Sequence, residues 1–125
     1  MGWKTALATQ NEERMMQTVL AWLRIGHLFD IKLSLKDITE KKPDPEIYLK
    51  AAYLLGVSPS ECVVIEDSEN GVNAAKAAGM YCIAIRHFYT PAHHLQAADT
   101  HITSLRELSI PFIQKIRRKR ESGKA

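Results

Sequence analysis

The segment from residue 63 to residue 80 constrains the fold more than any other part of the chain. Three consecutive β-branched apolar residues at 63–65 are followed at once by Glu66 and Asp67, and then by an alanine-rich stretch that ends at Gly79. The apolar run predicts a strand buried in a parallel sheet, and the alanine-rich stretch predicts the helix after it. Carboxylates at the end of such a strand, beside a helix N-terminus, are typical of metal and phosphate sites in α/β folds.

Strand-like and helix-like patterns alternate along the rest of the chain, which predicts an α/β fold with a parallel sheet. Apolar runs predict strands at 5–8, 31–35, 62–65, 81–85 and near 100–103. Helical spacing of apolar residues predicts helices at about 11–24, 45–55 and 71–78, and a last helix from 104 that Pro111 splits. We expect Thr9 or Asn11 to cap the first helix, with a capping box between Thr9 and Glu12, and Gly26 to close it.

Composition and charge exclude some classes of protein. The 125 residues suffice for one domain with a core, and no apolar run approaches the ~20 residues of a membrane span. The first residues lack the apolar core of a signal peptide, so we expect a cytoplasmic protein with no membrane partner, and Cys62 and Cys82 as buried reduced thiols. Basic residues concentrate near the C-terminus, which divides the chain into an α/β core at 1–110 and a basic helical tail at 111–125. Such a tail either attracts an anionic surface or is a solvated helix end, and we expect the second.

The adjacent carboxylates of Glu66 and Asp67 are the candidate metal ligands. Two carboxylates at the carboxyl end of one strand repel each other, and a hard cation such as Mg²⁺ relieves that repulsion through oxygen ligation. Mg²⁺ completes its coordination with water and phosphate oxygens, an arrangement that fits phosphoryl chemistry. The simpler alternative is that Asp67 or Ser68 only caps the next helix.

Lys42 and Thr9 are the candidate anion-binding residues. Lys42 precedes the Pro-Asp-Pro segment at 43–45, whose prolines restrict the backbone so that the lysine leaves the chain in a fixed direction. An ammonium group held in this way suits a phosphate. Thr9 stands where a strand ends and a helix begins, so its hydroxyl and the neighbouring N–H groups are available to an anion. The alternatives are a solvated Lys42 and a Thr9 that only caps the helix.

Taken together, these segments resemble the motifs of the haloacid dehalogenase superfamily, closest to its phosphatase and β-phosphoglucomutase-like branch. The matching segments follow one another in the family's order: residues 7–9, 42–48, 63–68, and 70–80. The resemblance runs from about residue 5 to residue 108 and implies a three-layer, Rossmann-like parallel sheet. It also implies that Thr9 and Gln10 bind phosphoryl oxygens, that Lys42 pairs with the phosphate and the nucleophile, and that Asp67 with Glu66 holds Mg²⁺.

One element of that resemblance is missing. The family's nucleophile and acid–base aspartates form an Asp-x-Asp motif on a central strand, and this sequence contains no Asp-x-Asp. The resemblance places that strand between those at 5–8 and 62–65, so the sheet is expected to be incomplete, and the substrate-selecting cap to be absent as well. Loss of the central strand would leave the edges of its two neighbouring strands unpaired, which is energetically unfavourable. We expect the two strands to pair directly, a strand of another copy to fill the gap in a homo-oligomer or strand-swapped dimer, or the chain to be part of a longer protein.

The function that the resemblance implies is Mg²⁺-dependent phosphatase or phosphoglucomutase-like phosphoryl transfer on a phosphorylated small molecule. Without the nucleophile, we expect this truncated chain to be inactive or nearly so. The alternative is a non-catalytic remnant that binds phosphate or Mg²⁺ or serves in self-assembly. Nucleic-acid binding through the basic tail is a third hypothesis, and we do not expect it.

Overall fold

The computed structural model describes residues 3–122, which form five short parallel strands, four α-helices and several 3₁₀ turns. The strands are β1 (Ala6–Ala8), β2 (Ile31–Leu33), β3 (Val63–Glu66), β4 (Tyr81–Ile85) and β5 (Thr100–Ile102). The helices are α1 (Glu13–Leu23), α2 (Glu46–Leu55), α3 (Glu69–Ala77) and α4 (Ile110–Ser122). Strands and helices alternate as far as β4, a 3₁₀ turn joins β4 to β5, and the predicted parallel α/β class is confirmed. No helix within 3–122 is long and apolar enough to cross a membrane.

The strands form two separate sheets. One contains β1 and β2, and the other contains β3, β4 and β5 in that order, with every pairing parallel. In the part of the chain that the structure describes, no strand lies between β1 and β3, and these two strands do not pair with each other. The expected interruption of the sheet is therefore present. Direct pairing of the two flanking strands, one of the three expected outcomes, does not occur.

The main apolar core lies on one face of both sheets. It is built by the buried faces of α2 and α3, which present Ile47, Ala51, Val72 and Ala75. The side chains that they meet come from both sheets: Ala6, Ala8, Ile31, Leu33, Val64, Cys82 and Ala84. The small alanine side chains of α3 allow this helix to pack closely on β3 and β4, which explains the alanine-rich pattern in the sequence.

A second, smaller core covers the opposite face of the three-stranded sheet. Ile83 and Ile102 point to this face and pack against Ile116 of α4, with Phe112 beside them. The β3–β5 sheet therefore lies between two helical layers, as the three-layer prediction requires. The basic C-terminal helix is held to the sheet through Ile116, which is only 7% exposed.

Several helix ends differ from the sequence-based predictions. Helix α1 begins later than predicted, with Glu12 at its N-cap and no side-chain cap, so the predicted capping box is wrong. Thr9 Oγ1 instead accepts a hydrogen bond from Asn11 N at 3.1 Å, inside the loop. The helix ends at Arg24, whose φ of 57° is left-handed, and not at Gly26. Pro111 lies in the first turn of α4, where it does not split the helix.

Candidate functional site

The loops that follow β1 and β3 border one cleft with a volume of about 600 Å³. Its lining consists of Leu7, Ala8, Thr9, Gln10, Lys42, Asp67, Ser68, Glu69 and Asn70. Both strands point their carboxyl ends at it, because parallel strands end at the same edge. Of the residues singled out in the sequence, the structure brings Thr9, Gln10, Lys42 and Asp67 together here. Glu66 does not line the cleft.

The ammonium group of Lys42 joins the two sides of the cleft. Its Nζ donates to the backbone oxygen of Ala8, at 3.2 Å, and to Oε2 of Glu66, at 2.7 Å. The backbone N–H of Lys42 donates to the Gln10 side chain, and the Lys42–Pro43 peptide bond is cis. An ammonium has three donors, and two have these partners. With 10% of its side chain exposed, Lys42 is fixed in position, as predicted, and not solvated.

Glu66 lies behind the cleft in the protein interior, with 9% of its side chain exposed. Its carboxylate accepts hydrogen bonds from Lys42 and from the hydroxyl of Tyr48. The backbone of Gly71 passes directly beneath it: a Cβ at this position would lie 2.0 Å from Glu66 Cδ. Gly71 therefore makes room for the buried carboxylate. In this arrangement the charge of Glu66 serves to orient Lys42, and its assignment as a metal ligand stays a prediction.

Asp67 directly follows β3 and, unlike the buried Glu66, is exposed to solvent. Its side chain is 57% exposed, and its Oδ2 lies 3.4 Å from Nε2 of His87. The cap of α3 is provided by Ser68, whose Oγ accepts from Gly71 N at 3.1 Å. Because Ser68 has the capping role, the carboxylate of Asp67 is available to a ligand in the cleft.

Two residues of this neighbourhood were not recognised in the sequence. Burial, and then the negative charge of Glu66, raise the pKa of Tyr48 above its usual value, so the hydroxyl keeps its proton and donates. The helical spacing of apolar residues in the sequence indicates that Tyr48 lies on the buried face of α2. It does not indicate that Glu66 is the partner of its hydroxyl. The contact of His87 with Asp67 depends on how β4 ends beside β3, which no local pattern in the sequence indicates.

The charged side chains that line the cleft have a net negative charge. Lys42 is its one cationic lining residue, and Asp67 and Glu69 are its anionic ones. The N-terminus of α3 adds partial positive charge from its first N–H groups. A phosphate dianion would therefore meet two exposed carboxylates, and its binding calls for an additional cation. No cluster of three or more metal-binding side chains occurs within residues 3–122.

Comparison with known proteins shows which family the chain belongs to. The sequence profile of the haloacid dehalogenase-like hydrolases matches residues 1–79. Hexitol phosphatase B of Escherichia coli (strain K12) is 36% identical over 114 residues, which cover 86% of this chain and 49% of that protein.

Solved structures show the same relationship. The structure of CbbY from Rhodobacter sphaeroides in complex with phosphate superimposes with a TM-score of 0.77 at 34% identity, over 86% of this chain and 49% of that one. β-Phosphoglucomutase from Clostridium difficile gives a TM-score of 0.71 at 31% identity, over 78% of this chain and 42% of that one. The chain spans about half, or less, of the length of the curated relatives that it matches. By sequence and by structure, the chain belongs to the haloacid dehalogenase-like hydrolases and resembles their phosphatases and β-phosphoglucomutase-like members.

Proposed function

We propose that the cleft binds the phosphoryl group of a phosphorylated small molecule together with Mg²⁺. In this proposal the chain contributes the phosphate-binding part of a phosphatase or phosphomutase-like hydrolase. The observation that carries the proposal is the meeting of Thr9, Gln10, Lys42 and Asp67 in one cleft from three separate segments of the chain. The relatives named above include a phosphatase and a phosphoglucomutase, which supports the same chemistry.

Each residue would act through groups that the structure leaves facing the cleft. The third donor of the Lys42 ammonium, after those to Ala8 and Glu66, suits a phosphate oxygen. The hydroxyl of Thr9 accepts from Asn11 and keeps its own proton to donate. Because Glu66 and Ala8 hold Lys42 before a ligand arrives, binding requires little reordering of that side chain.

The residues that line the cleft fit a magnesium ion that keeps most of its water. Mg²⁺ is commonly held by one or two carboxylates and by the phosphate of the substrate. Asp67 provides one exposed carboxylate, and we propose that it holds the ion; Glu66, already paired with Lys42, would be a ligand only after turning outward. Bound there, Mg²⁺ would neutralise charge on the phosphoryl group.

We expect the chain itself to turn over little or no phosphoester, because its sequence has no Asp-x-Asp pair to act as nucleophile and acid–base group. Phosphate binding without hydrolysis is therefore the first measurable activity. A non-catalytic phosphate- or Mg²⁺-binding protein is the second candidate, and the absence of an Asp-x-Asp pair from this sequence is the observation that favours it.

Calorimetric titration of inorganic phosphate, with Mg²⁺ and again with EDTA, tests the proposal. We expect binding with Mg²⁺ and a loss of at least about tenfold in affinity with EDTA, equal to about 1.4 kcal/mol. Lys42→Ala should abolish binding, while Lys41→Ala, at the exposed neighbouring position, should leave it unchanged. Equal affinity for phosphate in the Lys42→Ala variant would contradict the assignment of the cleft.

Self-association stays a prediction. The edges of β1 and β3 that face each other support pairing with a further strand, since unpaired edges favour association. Sedimentation velocity over a hundredfold range of protein concentration tests whether copies of this chain form a homo-oligomer or strand-swapped dimer. A single monomeric species throughout would count against it.

A further inference from the structure

The carboxylate of Glu66 already has four hydrogen-bond donors. Oε2 accepts from Lys42 Nζ, at 2.7 Å, and from the hydroxyl of Tyr48. Oε1 accepts from the backbone N–H of Asp67, at 3.3 Å, and from Ser68 Oγ, at 3.4 Å. An ionised carboxylate offers about four acceptor sites, two on each oxygen. A magnesium ion could therefore gain Glu66 as a ligand only if some of these hydrogen bonds were broken.

Tyr48 opposes such a change from the protein interior. It lies on the buried face of α2 with 6% of its surface exposed. Burial, and then the negative charge of Glu66, raise the pKa of its hydroxyl, which therefore stays a donor. A buried hydroxyl that lost its acceptor would be left unsatisfied, which is unfavourable. The hydrogen bond from Tyr48 thus keeps the Glu66 side chain turned inward.

Tyr48 also contacts Lys42 directly. The Lys42 Nζ lies over the Tyr48 ring, 5.0 Å from the ring centroid, a separation at which an ammonium group is attracted to an aromatic face. The ring and the hydroxyl of Tyr48 therefore act on two side chains of opposite charge. Glu66 is kept out of the cleft, and Lys42 is kept in its lining.

We propose that Tyr48 is a positioning residue that determines which carboxylate meets the metal ion: it keeps Glu66 inward, leaves Asp67 to hold Mg²⁺, and holds Lys42 towards the phosphate. This inference rests on the proposed function of the cleft. Mg²⁺ held by one carboxylate takes its other ligands from water and from a phosphate. Magnesium binding by the parent chain should therefore be weak without phosphate and stronger with it.

Tyr48→Phe removes the hydroxyl and keeps the ring beside Lys42, and titration calorimetry should then give opposite changes for the two ligands. Glu66, without its donor from Tyr48, can turn towards Asp67, so the affinity for Mg²⁺ without phosphate should rise about tenfold, within the range of one hydrogen bond to a charged group. The affinity for inorganic phosphate at saturating Mg²⁺ should fall, because Lys42 loses the partner that orients it. A merely structural residue would lower both affinities together.

Two further variants exclude indirect effects. Tyr53→Phe, at an 82%-exposed position of the same helix, should change neither affinity. In a Glu66→Gln background no second carboxylate can turn outward, so Tyr48→Phe should no longer raise the affinity for Mg²⁺. A rise that persists in this background would assign the additional ligand to another group and overturn the proposal.

A measurement on the parent chain needs no substitution. The buried hydroxyl proton of Tyr48, bonded to Glu66, should exchange slowly with water and give its own NMR resonance. We expect this resonance to persist when Mg²⁺ and inorganic phosphate are added. Its loss on addition of Mg²⁺ would show that Glu66 leaves Tyr48 to bind the ion, and the proposal would be wrong.

Failure of this inference is distinguishable from failure of the proposed function. If the parent chain binds Mg²⁺ and phosphate, and Tyr48→Phe lowers both affinities or changes neither, only the positioning role of Tyr48 is rejected. If the parent chain binds neither ligand, the proposed function is rejected, and the role of Tyr48 with it.

Discussion

Replacing Gly71 by alanine places a methyl group where the carboxyl group of Glu66 already lies. The added Cβ would be 2.0 Å from both Cδ and Oε1 of Glu66, a separation that no relaxation of the methyl itself can relieve. Either the start of α3 moves away from β3, or the Glu66 side chain leaves its site. The second route would leave the 10%-exposed Lys42 without its carboxylate. Removing one partner of a buried ion pair costs about 3–5 kcal/mol, so the helix shift is the cheaper response.

The expected magnitude follows from two opposing effects. Overpacking a tight site costs about 1–3 kcal/mol, and the severity of this contact places the cost near the upper value. Alanine gains about 1 kcal/mol over glycine in a helix. We therefore expect Gly71→Ala to lower the free energy of unfolding by about 2 kcal/mol, a shift of about 1 M in the urea midpoint.

The assay is urea unfolding followed by circular dichroism, with two comparisons. Gly26→Ala is the matched control, because its Cβ would meet nothing closer than 3.8 Å. In a Glu66→Ala background the obstructing carboxyl group is absent, so Gly71→Ala should lose most of its effect. A Gly71→Ala chain as stable as the parent, or an equal effect in both backgrounds, would refute the reasoning.

Three further predictions use the same assay. Tyr48→Phe removes a donor to a buried carboxylate and should destabilise by about 1.5–3 kcal/mol, whereas Tyr53→Phe, at an 82%-exposed position, should change little. Both Arg24 and Gly56 have a left-handed backbone conformation, which glycine adopts more easily than other residues. Arg24→Gly should therefore raise the free energy of unfolding, and Gly56→Ala should lower it, each by about 1 kcal/mol. Changes of the opposite sign would contradict this backbone conformation. Burial raises the pKa of the Cys82 thiol to about 12 from 9.0, so above pH 9 the unfolded chain loses a proton that the folded chain keeps. Stability should then fall as pH rises from 9 to 12, and Cys82→Ala should reduce that slope by up to about 1.4 kcal/mol per pH unit.

The elements around the cleft could be predicted because their signals are local. The apolar run before Glu66 and Asp67 produces a strand with its carboxylates at the carboxyl end, and the prolines beside Lys42 mark the entry of α2. The end of α2 is likewise predictable from one residue, because Gly56, with φ of 73°, has the left-handed conformation in which helices commonly end at glycine.

The orientation of the two carboxylates could not be predicted in the same way. Glu66 and Asp67 are equivalent in a local pattern, and only the partners Lys42 and Tyr48, brought in by α2, determine which one is buried. Such pairing is a tertiary effect, and the strand period alone does not identify the buried face.

Tertiary contacts also explain the start of α1. The loop before the helix is held by Leu35 N, which donates to Asn11 O at 3.0 Å, and by Gln10, whose side chain accepts from Lys42 N. These contacts keep residues 9–11 outside the helix, although Thr9 and Glu12 have the spacing of a capping box. A local motif was overridden by bonds to a neighbouring segment.

The core beneath α2 has a consequence for how the chain unfolds. On the face of α2 and α3, one apolar layer contacts both sheets, whereas the layer built by Ile116 reaches only β3, β4 and β5. The unit formed by β1, α1 and β2 is thus attached to the remainder mainly through α2 and Lys42. Units with fewer shared buried contacts open at lower free energy than the whole molecule. The β1–α1–β2 unit is accordingly the part of this protein that we expect to detach first, leaving the three-stranded sheet folded.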